Sequence, residues 1–228
     1  MIVIFDLDDT LYPEATYVHS GFRAVARAAT DRFGGEAEWA LSLMLDSLAK
    51  RGRGRQFNDL ADALEVSGQA VVRWMVKTYR HHVPQIALPA VSDAVLRACS
   101  DDPLYLVTDG HKIAQARKVS GLGLWDRFRR CYLTNRYGVH HQKPSPYVFE
   151  LILKREGARG HDAVYIGDNP RKDFRGIRPL GFRTVRVRQG SHRDVEVSPE
   201  HDAEVSIDTL DELLPILARW GWGSGRKG

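Results

Sequence analysis

The stretch Ile2-Val3-Ile4-Phe5-Asp6-Leu7-Asp8-Asp9-Thr10 joins an apolar run directly to a group of carboxylates. Residues 2–5 are continuously apolar, which is typical of a parallel strand buried on both faces. The carboxylates then follow the carboxyl end of that strand. Because ligands of open parallel sheets bind beyond this edge, the stretch predicts a site there.

The same pattern of an apolar run that ends in polar residues recurs along the chain. Further strands are predicted at residues 104–107, 131–133, 163–166 and 185–187. Apolar residues return every three or four positions, as in helices, at residues 112–122, 146–156 and 210–220. The alternation of strand and helix predicts an α/β fold, a Rossmann-like parallel sheet covered by helices.

One long region contains no strand candidate. Between Glu14 and His82 only helical spacing is found, at residues 22–33, 37–49, 60–66 and 70–79. We therefore predict an all-helical domain at 14–84, inserted into an α/β core domain of residues 1–13 and 85–220. Trp39, Trp74 and Met75 are expected on its inner helix faces. The glycine-rich residues 221–228 are predicted to form a flexible tail.

Composition excludes several classes of protein. The 228 residues include 33 Lys and Arg against 29 Asp and Glu, and the basic residues are scattered, so no nucleic-acid partner is expected. No apolar run has the length of a signal peptide or a membrane span, which predicts a cytoplasmic protein without a membrane partner. Cys99 and Cys131 lack metal or redox spacing and are expected to be reduced and buried.

Asp6 and Asp8 are the first candidates for chemistry. Two carboxylates beyond one strand can divide the work of attack and proton transfer. Attack on a phosphate by a carboxylate requires a divalent cation, because the two anions otherwise repel each other. The alternative for this pair is a solvated acidic turn or a helix cap.

Two further motifs could hold a phosphate. Thr108-Asp109-Gly110 follows the second strand and opens a helix, so that a hydroxyl and backbone N–H groups could face phosphate oxygens. Asp109 could instead be a helix cap. Lys143, followed by Pro144, could neutralise the nucleophile and the phosphoryl group, or it could be a solvated lysine.

The fourth motif, Gly167-Asp168-Asn169, follows another apolar strand. Gly167 would allow a close backbone approach, and Asp168 with Asp6 would supply the oxygen ligands that Mg²⁺ prefers. Asp173 could hold Lys143 or a water on the metal. The alternative for Asp168 is a capping aspartate.

These four motifs, each at the end of a separate predicted strand, resemble the signature of the haloacid dehalogenase-like hydrolase superfamily, in its phosphatase branch with a helical cap. The resemblance covers about residues 1–12 and 85–215, and it implies that residues 14–84 are the cap. It also implies Mg²⁺ as cofactor and roles for nine residues. Asp6 would be the nucleophile and a metal ligand. Asp8 would be the general acid and base, and its backbone carbonyl a metal ligand. Asp168 would be a further metal ligand, Thr108, Asp109, Gly110 and Lys143 would surround the phosphoryl group, and Asp173 and Asn169 would have supporting roles.

The resemblance implies a Mg²⁺-dependent phosphomonoester hydrolase that forms an aspartyl-phosphate on Asp6 and acts on a small phosphorylated metabolite. Residues 6–13, together with Gln115 and Lys118 after Gly110, are similar to the pyrimidine 5'-nucleotidase branch, so a nucleoside 5'-monophosphate is the expected substrate. Asp109 departs from that branch, which commonly has Asn there. Sugar-phosphate or phosphoglycolate phosphatase, phosphomutase and a silent binding protein are the alternatives, while Asp8 disfavours a 2-haloacid dehalogenase. The oligomeric state is left open.

Overall fold

The computed structural model describes residues 1–223, so that residues 224–228, most of the predicted tail, lie outside the described residues. The chain divides into two compact units. One consists of Met1–Glu14 and the chain from Ala87 onward, and the other of Ala15–Ile86. The first contains the strands, and the second is helical.

A six-stranded parallel sheet forms the centre of the first unit. Its strands are β1 (Ile2–Phe5), β2 (Leu104–Thr108), β3 (Arg130–Leu133), β4 (Ala163–Gly167), β5 (Arg183–Val187) and β6 (Val205–Ile207). Their spatial order is β3-β2-β1-β4-β5-β6, with β1 paired to β2 and to β4. The carboxyl ends that carry the first, second and fourth motifs are therefore neighbours.

The helices of the first unit are α5 (Ala90–Ala98), α6 (Lys112–Gly121), α7 (Tyr147–Glu156) and α8 (Leu213–Arg219). A buried cluster joins the sheet to α7 and to the loop after β4, with Tyr105 and Tyr165 from strands, Phe149 from α7 and Phe174 from that loop. Burial of each such large apolar side chain contributes about 1.5–3 kcal/mol. The predicted α/β class is confirmed.

Two elements of the first unit escape the sequence patterns. β6 has three residues and pairs only with β5, and its central Ser206 is exposed, so it has no continuous apolar run. α5 has nine residues and follows Pro89 directly. The predicted helix 210–220 is also divided, because a 3-10 turn at Leu210–Glu212 precedes α8. Pro215 lies in the first turn of α8, where its missing N–H is tolerated.

The second unit consists of α1 (Glu14–Phe33), α2 (Ala37–Arg51), α3 (Gln56–Ala63) and α4 (Gln69–His81), of which α1 begins one residue before the unit. Its core includes Phe22, Met44, Leu60 and Met75. Met75 is buried as predicted and Trp74 packs against the core, but the prediction for Trp39 is wrong because its side chain is 43% exposed. α3 ends before Val66 because Glu65 has a left-handed backbone, with φ of 57°.

Within residues 1–223, none of the helices combines the length and the apolar character that a membrane span requires. Cys99 is buried, whereas Cys131 is only partly buried, so that the prediction for Cys131 is half wrong. Both cysteines are free thiols.

Candidate active site

The turn after β1 positions the first motif. The backbone N–H of Asp6 donates to the carbonyl of Ile166 at 2.8 Å, so the residue continues the β1 to β4 ladder with its side chain buried at the strand end. Asp9 has a left-handed backbone, with φ of 51°, which aspartate tolerates. Its Oδ1 accepts a hydrogen bond from the N–H of Glu14 at 2.8 Å, and so supplies the acceptor that the first N–H groups of a helix lack within the helix itself.

Lys143 is fully buried and lies between two carboxylates. Its Nζ is 3.0 Å from Oδ2 of Asp6, 2.8 Å from Oδ1 of Asp173 and 2.9 Å from the hydroxyl oxygen of Tyr165. Burial alone would lower the pKa of Lys143, but Asp173 and Asp6 raise it well above its ordinary value. The lysine is therefore charged and held in one place by three acceptors.

Asp6, Asp168 and Asp173 form a buried cluster. One oxygen from each of the three carboxylates lies within 4.8 Å of the other two. Burial raises the pKa of Asp6 to about 8, although Lys143 opposes the shift. Ionisation of all three carboxyl groups beside one ammonium would leave an excess of negative charge.

The donor set of this cluster fits a hard divalent cation. Oδ1 of Asp6 is buried and has no hydrogen-bond partner among residues 1–223, so one acceptor in the cluster is not satisfied by the described protein. Oxygen ligands are those that Mg²⁺ prefers. Asp6 and Asp168 would hold the ion, because Asp173 already accepts from Lys143 and, at 2.8 Å, from the N–H of Asn169.

Two glycines permit the close approaches at this cluster. A Cβ at Gly167 would lie 2.6 Å from Oδ2 of Asp173, and a Cβ at Gly176 would lie 1.7 Å from the carbonyl oxygen of Pro144. Both contacts are too short for a side chain. Glycine at these positions lets Asp173 meet the fourth motif and lets the Lys143-Pro144 segment meet the chain after it.

The second motif lies at the end of β2. Thr108 is buried, and its Oγ1 accepts from Nε2 of Gln115 at 2.6 Å. The carboxylate of Asp109 accepts from the hydroxyl of Thr134 at 2.6 Å and from the backbone N–H of Lys143 at 3.2 Å. The Asp109 side chain thus connects the end of β2, the residue after β3 and the lysine segment, so this motif could reach a phosphate through the Thr108 hydroxyl and backbone N–H groups but not through the Asp109 carboxylate.

Gly110 follows with a φ of +126°, a region that favours glycine. Its Cα faces the side chain of Gln115, which would lie 3.1 Å from an added Cβ. The glycine therefore gives Gln115 room to reach Thr108.

Asp8 has different partners from Asp6. Its Oδ1 accepts from the hydroxyl of Tyr12 at 2.7 Å and its Oδ2 from Nε2 of Gln115 at 2.8 Å. Nζ of Lys118 lies 2.7 and 2.8 Å from the two oxygens. The structure therefore brings Asp6, Lys143, Asp168 and Asp173 together, whereas Asp8 is linked to Thr108 through Gln115.

The loop after β5 adds a residue that sequence reasoning missed. His192 Nδ1 lies 2.8 Å from Oδ2 of Asp168, and its Nε2 lies 3.0 Å from Nδ2 of Asn169. Burial raises the pKa of Asp168, and the hydrogen bond from His192 opposes that shift. The available signal was topological, since His192 follows the carboxyl end of a predicted strand.

Tyr165 and Lys172 were also missed. Tyr165 lies inside an apolar strand, where a hydroxyl gives no signal of its own. Lys172 lies in the polar segment after β4, and its Nζ is 3.5 Å from Oδ2 of Asp109. Gln115 and Lys118 were noted for their resemblance to one branch, and their spacing of three residues on a helix predicts a shared face.

A family model described as haloacid dehalogenase-like hydrolase matches residues 1–181. The chain belongs to the haloacid dehalogenase-like hydrolase family. The resemblance drawn from the four motifs is thereby confirmed at the level of the superfamily.

Two relatives are similar to the chain over most of its length. A glyceraldehyde 3-phosphate phosphatase of Methanopyrus kandleri is 30% identical, with 94% of this chain and 96% of the relative covered. One of the same name from Methanocaldococcus jannaschii is 28% identical over the same shares. The crystal structure of a 2-haloacid dehalogenase from Pseudomonas syringae matches with a TM-score of 0.66 at 22% identity, covering 96% of this chain and 98% of that one. That likeness supports the fold alone.

Proposed function

We propose that this chain is a Mg²⁺-dependent phosphomonoester hydrolase that works through an aspartyl-phosphate on Asp6. The observation that carries the proposal is the buried contact of Asp6 with Lys143 beside Asp168 and Asp173. The enzyme class has independent support: the family and the named phosphatase relatives make the chain a phosphoric monoester hydrolase. The nucleophile, the metal and the substrate are parts of the proposal.

In the first step, a carboxylate oxygen of Asp6 attacks phosphorus and the bond from phosphorus to the ester oxygen breaks. Asp8 gives its proton to the departing oxygen, which leaves as an alcohol. In the second step, a water loses its proton to Asp8 and attacks phosphorus. Inorganic phosphate then departs and the carboxylate of Asp6 is restored.

Lys143 and Thr108 supply the electrostatic part of this reaction. The Lys143 ammonium neutralises the Asp6 nucleophile and lies where a phosphoryl group on Asp6 would develop negative charge. The Thr108 hydroxyl and the backbone N–H groups of Asp109 and Gly110 would donate hydrogen bonds to the remaining phosphate oxygens. A bound Mg²⁺ supplies charge neutralisation between the two anions.

The substrate we favour is a small three-carbon phosphate such as glyceraldehyde 3-phosphate. Two full-length relatives carry that name, and they support the choice of class. A nucleoside 5'-monophosphate is the second candidate, supported by Gln115 and Lys118 after the second motif. Kinetic comparison of the two classes decides between them.

The first test is phosphate release from an aryl phosphate with Mg²⁺ and with EDTA. We expect Mg²⁺-dependent release in the wild type and a loss of at least about 10³-fold in Asp6→Asn, because the amide cannot act as the nucleophile. Asp211→Asn, which changes an exposed aspartate, is the matched control. Activity of Asp6→Asn equal to that of the wild type would refute the assignment of Asp6 as the nucleophile.

The second test compares kcat/KM across glyceraldehyde 3-phosphate, nucleoside 5'-monophosphates, sugar phosphates and phosphoglycolate. The preferred substrate is the one with the highest kcat/KM, because that ratio measures discrimination. Isomerised sugar phosphate without phosphate release would indicate a phosphomutase. Chloride release from a short 2-haloacid without phosphate release would indicate a dehalogenase.

A further inference from the structure

Lys118 is a buried cation that the four motifs do not include. It lies on α6 with its side chain only 4% exposed. Its Nζ contacts both carboxylate oxygens of Asp8, at 2.7 and 2.8 Å, and Oε1 of Glu14 at 3.0 Å. A buried ammonium is tolerated only when it is paired, and here its three protons face two carboxylates. The lysine is thus directed at Asp8 and Glu14 and not at a phosphate.

Gln115 lies one turn earlier on the same face of α6. Its Nε2 donates to Oδ2 of Asp8 at 2.8 Å and to Oγ1 of Thr108 at 2.6 Å. Gln115 is itself buried, at 2% exposure. One amide therefore fixes the distance between Asp8, proposed as the proton donor, and Thr108, proposed as a phosphate contact.

The two helix residues, with Tyr12, hold both oxygens of Asp8. Oδ1 accepts from Tyr12 and Lys118, and Oδ2 accepts from Gln115 and Lys118. Any rotation of the Asp8 side chain breaks at least one of these contacts. Because Lys118 contacts both oxygens, it can stay hydrogen-bonded to one of them while the other carries the proton.

We infer that Lys118 and Gln115 are positioning residues that aim the Asp8 carboxyl at the leaving oxygen of the substrate. This inference rests on the proposed function, in which Asp8 is the general acid. A general acid must lie within hydrogen-bond reach of the oxygen that it protonates, and small misplacements are costly. Asp8 also serves as the base of the second step, but kcat/KM reports only the steps up to transfer of the phosphoryl group to Asp6, so its change isolates the protonation of that oxygen.

This restriction gives a test that separates positioning from general structural support. A dinitrophenyl phosphate has a leaving group stable as an anion and needs little help from an acid, whereas phenyl phosphate needs protonation. In Lys118→Met we expect kcat/KM for phenyl phosphate to fall about 10–100-fold, part of the 10²–10⁴-fold that a general acid supplies. For dinitrophenyl phosphate we expect a fall of less than about threefold.

Three further variants control the measurement. Arg117→Met removes the exposed cation next to Lys118 and is expected to leave both substrates unchanged. Lys118→Met alone leaves Asp8 and Glu14 without their shared partner and could unfold the protein. The double variant Glu14→Gln/Lys118→Met keeps the net charge of the three groups at one negative charge, and it should show the same difference between substrates. Gln115→Leu also removes the contact with Thr108, so it should lower kcat/KM for both substrates, and more for phenyl phosphate.

The outcomes are distinguishable. A loss confined to phenyl phosphate supports the inference. Equal losses on both substrates in the folded double variant, no loss on either, or a gain on phenyl phosphate would overturn it. Wild-type protein that releases phosphate from neither substrate with Mg²⁺ would overturn the proposed function, and the positioning role with it.

Discussion

At the residue scale, Lys143 and Tyr165 show how the candidate site pairs a buried charge. The three acceptors of the ammonium are Asp6, Asp173 and the Tyr165 hydroxyl, and all of them are buried. The ring of Tyr165 also lies 5.6 Å from the ammonium. Removal of one acceptor from a buried cation leaves a donor unsatisfied, which is costly.

We therefore predict that Tyr165→Phe lowers the free energy of unfolding by about 1.5–3 kcal/mol, the usual contribution of one hydrogen bond to a charged group. Urea unfolding measures this change. Tyr132→Phe is the matched control, since it removes a hydroxyl from the same core cluster but not one that Lys143 contacts. Equal stability of Tyr165→Phe and the wild type would show that the hydroxyl does not support the lysine.

Single residues differ in how far the sequence predicts them. Asp6, Lys143, Asp168 and Asp173 were predicted because polar residues after apolar strands converge at one sheet edge, and the structure does bring them together. Tyr165 could not be predicted, because its neighbours in the strand are apolar and its own ring belongs to the core. The carboxylate of Asp8 was expected in the same crevice, but its direction depends on α6, which no local pattern reveals.

At the element scale, β5 anchors the loop that carries His192. Arg186 is buried on β5, and its guanidinium donates to the carbonyls of His192 at 2.8 Å and Val195 at 2.7 Å. It also pairs with Asp202 at 3.0 Å. At the other side of the loop, Gln189 Nε2 donates to the carbonyl of Thr10 at 3.0 Å, so the loop is fastened to the first motif as well.

Arg186→Met should release this loop. We expect hydrogen exchange to become faster across residues 188–196 and the free energy of unfolding to fall by roughly 2–4 kcal/mol, since several acceptors lose a charged donor. Arg183→Met on the same strand breaks an exposed pair with Glu204 and should cost less than about 1 kcal/mol. Unchanged exchange in Arg186→Met would show that the loop is held by its other contacts.

Elements were predictable in proportion to their length and apolar content. β1 was predicted with its observed ends because all four residues are buried. β6 was missed because only Ile207 of its three residues is buried, and this edge strand depends on pairing with β5. The helices of the second unit were found from their spacing, and the end of α1 at Phe33 and the start of α2 at Ala37 were predicted correctly. Their other ends were not, since α3 ends at Ala63, before Glu65, whose left-handed backbone has no signal in the sequence.

At the scale of the whole molecule, the buried negative charge links stability to pH. The pKa of Asp6 is raised by burial from 3.8 to about 8, and that of Asp168 is raised as well. Between about pH 4 and pH 8 the unfolded chain has therefore lost protons that the metal-free folded chain retains. Under this condition the free energy of unfolding falls as pH rises, and the fall ends above the folded pKa.

We predict that in EDTA the protein becomes less stable from pH 5 to pH 8, and that Mg²⁺ stabilises it more at pH 8, where the ionised carboxylates bind the ion. Urea unfolding with EDTA or Mg²⁺ at the two pH values measures both effects. In Asp6→Asn the free energy of unfolding in EDTA should depend less on pH, because the contribution of the Asp6 carboxyl is removed. If Mg²⁺ raised the free energy of unfolding equally at both pH values, and that free energy did not fall with pH in EDTA, the raised pKa values of the buried carboxyl groups would be contradicted.

The most direct test of the central claim is to find the phosphoryl group on Asp6. Asp8→Asn should slow the second step, which needs a base, so that the intermediate accumulates when the variant meets an activated aryl phosphate and Mg²⁺. Acid quenching followed by peptide mass spectrometry should then place one phosphoryl group on the peptide of residues 1–23, at Asp6. A phosphoryl group on any other side chain would contradict the account.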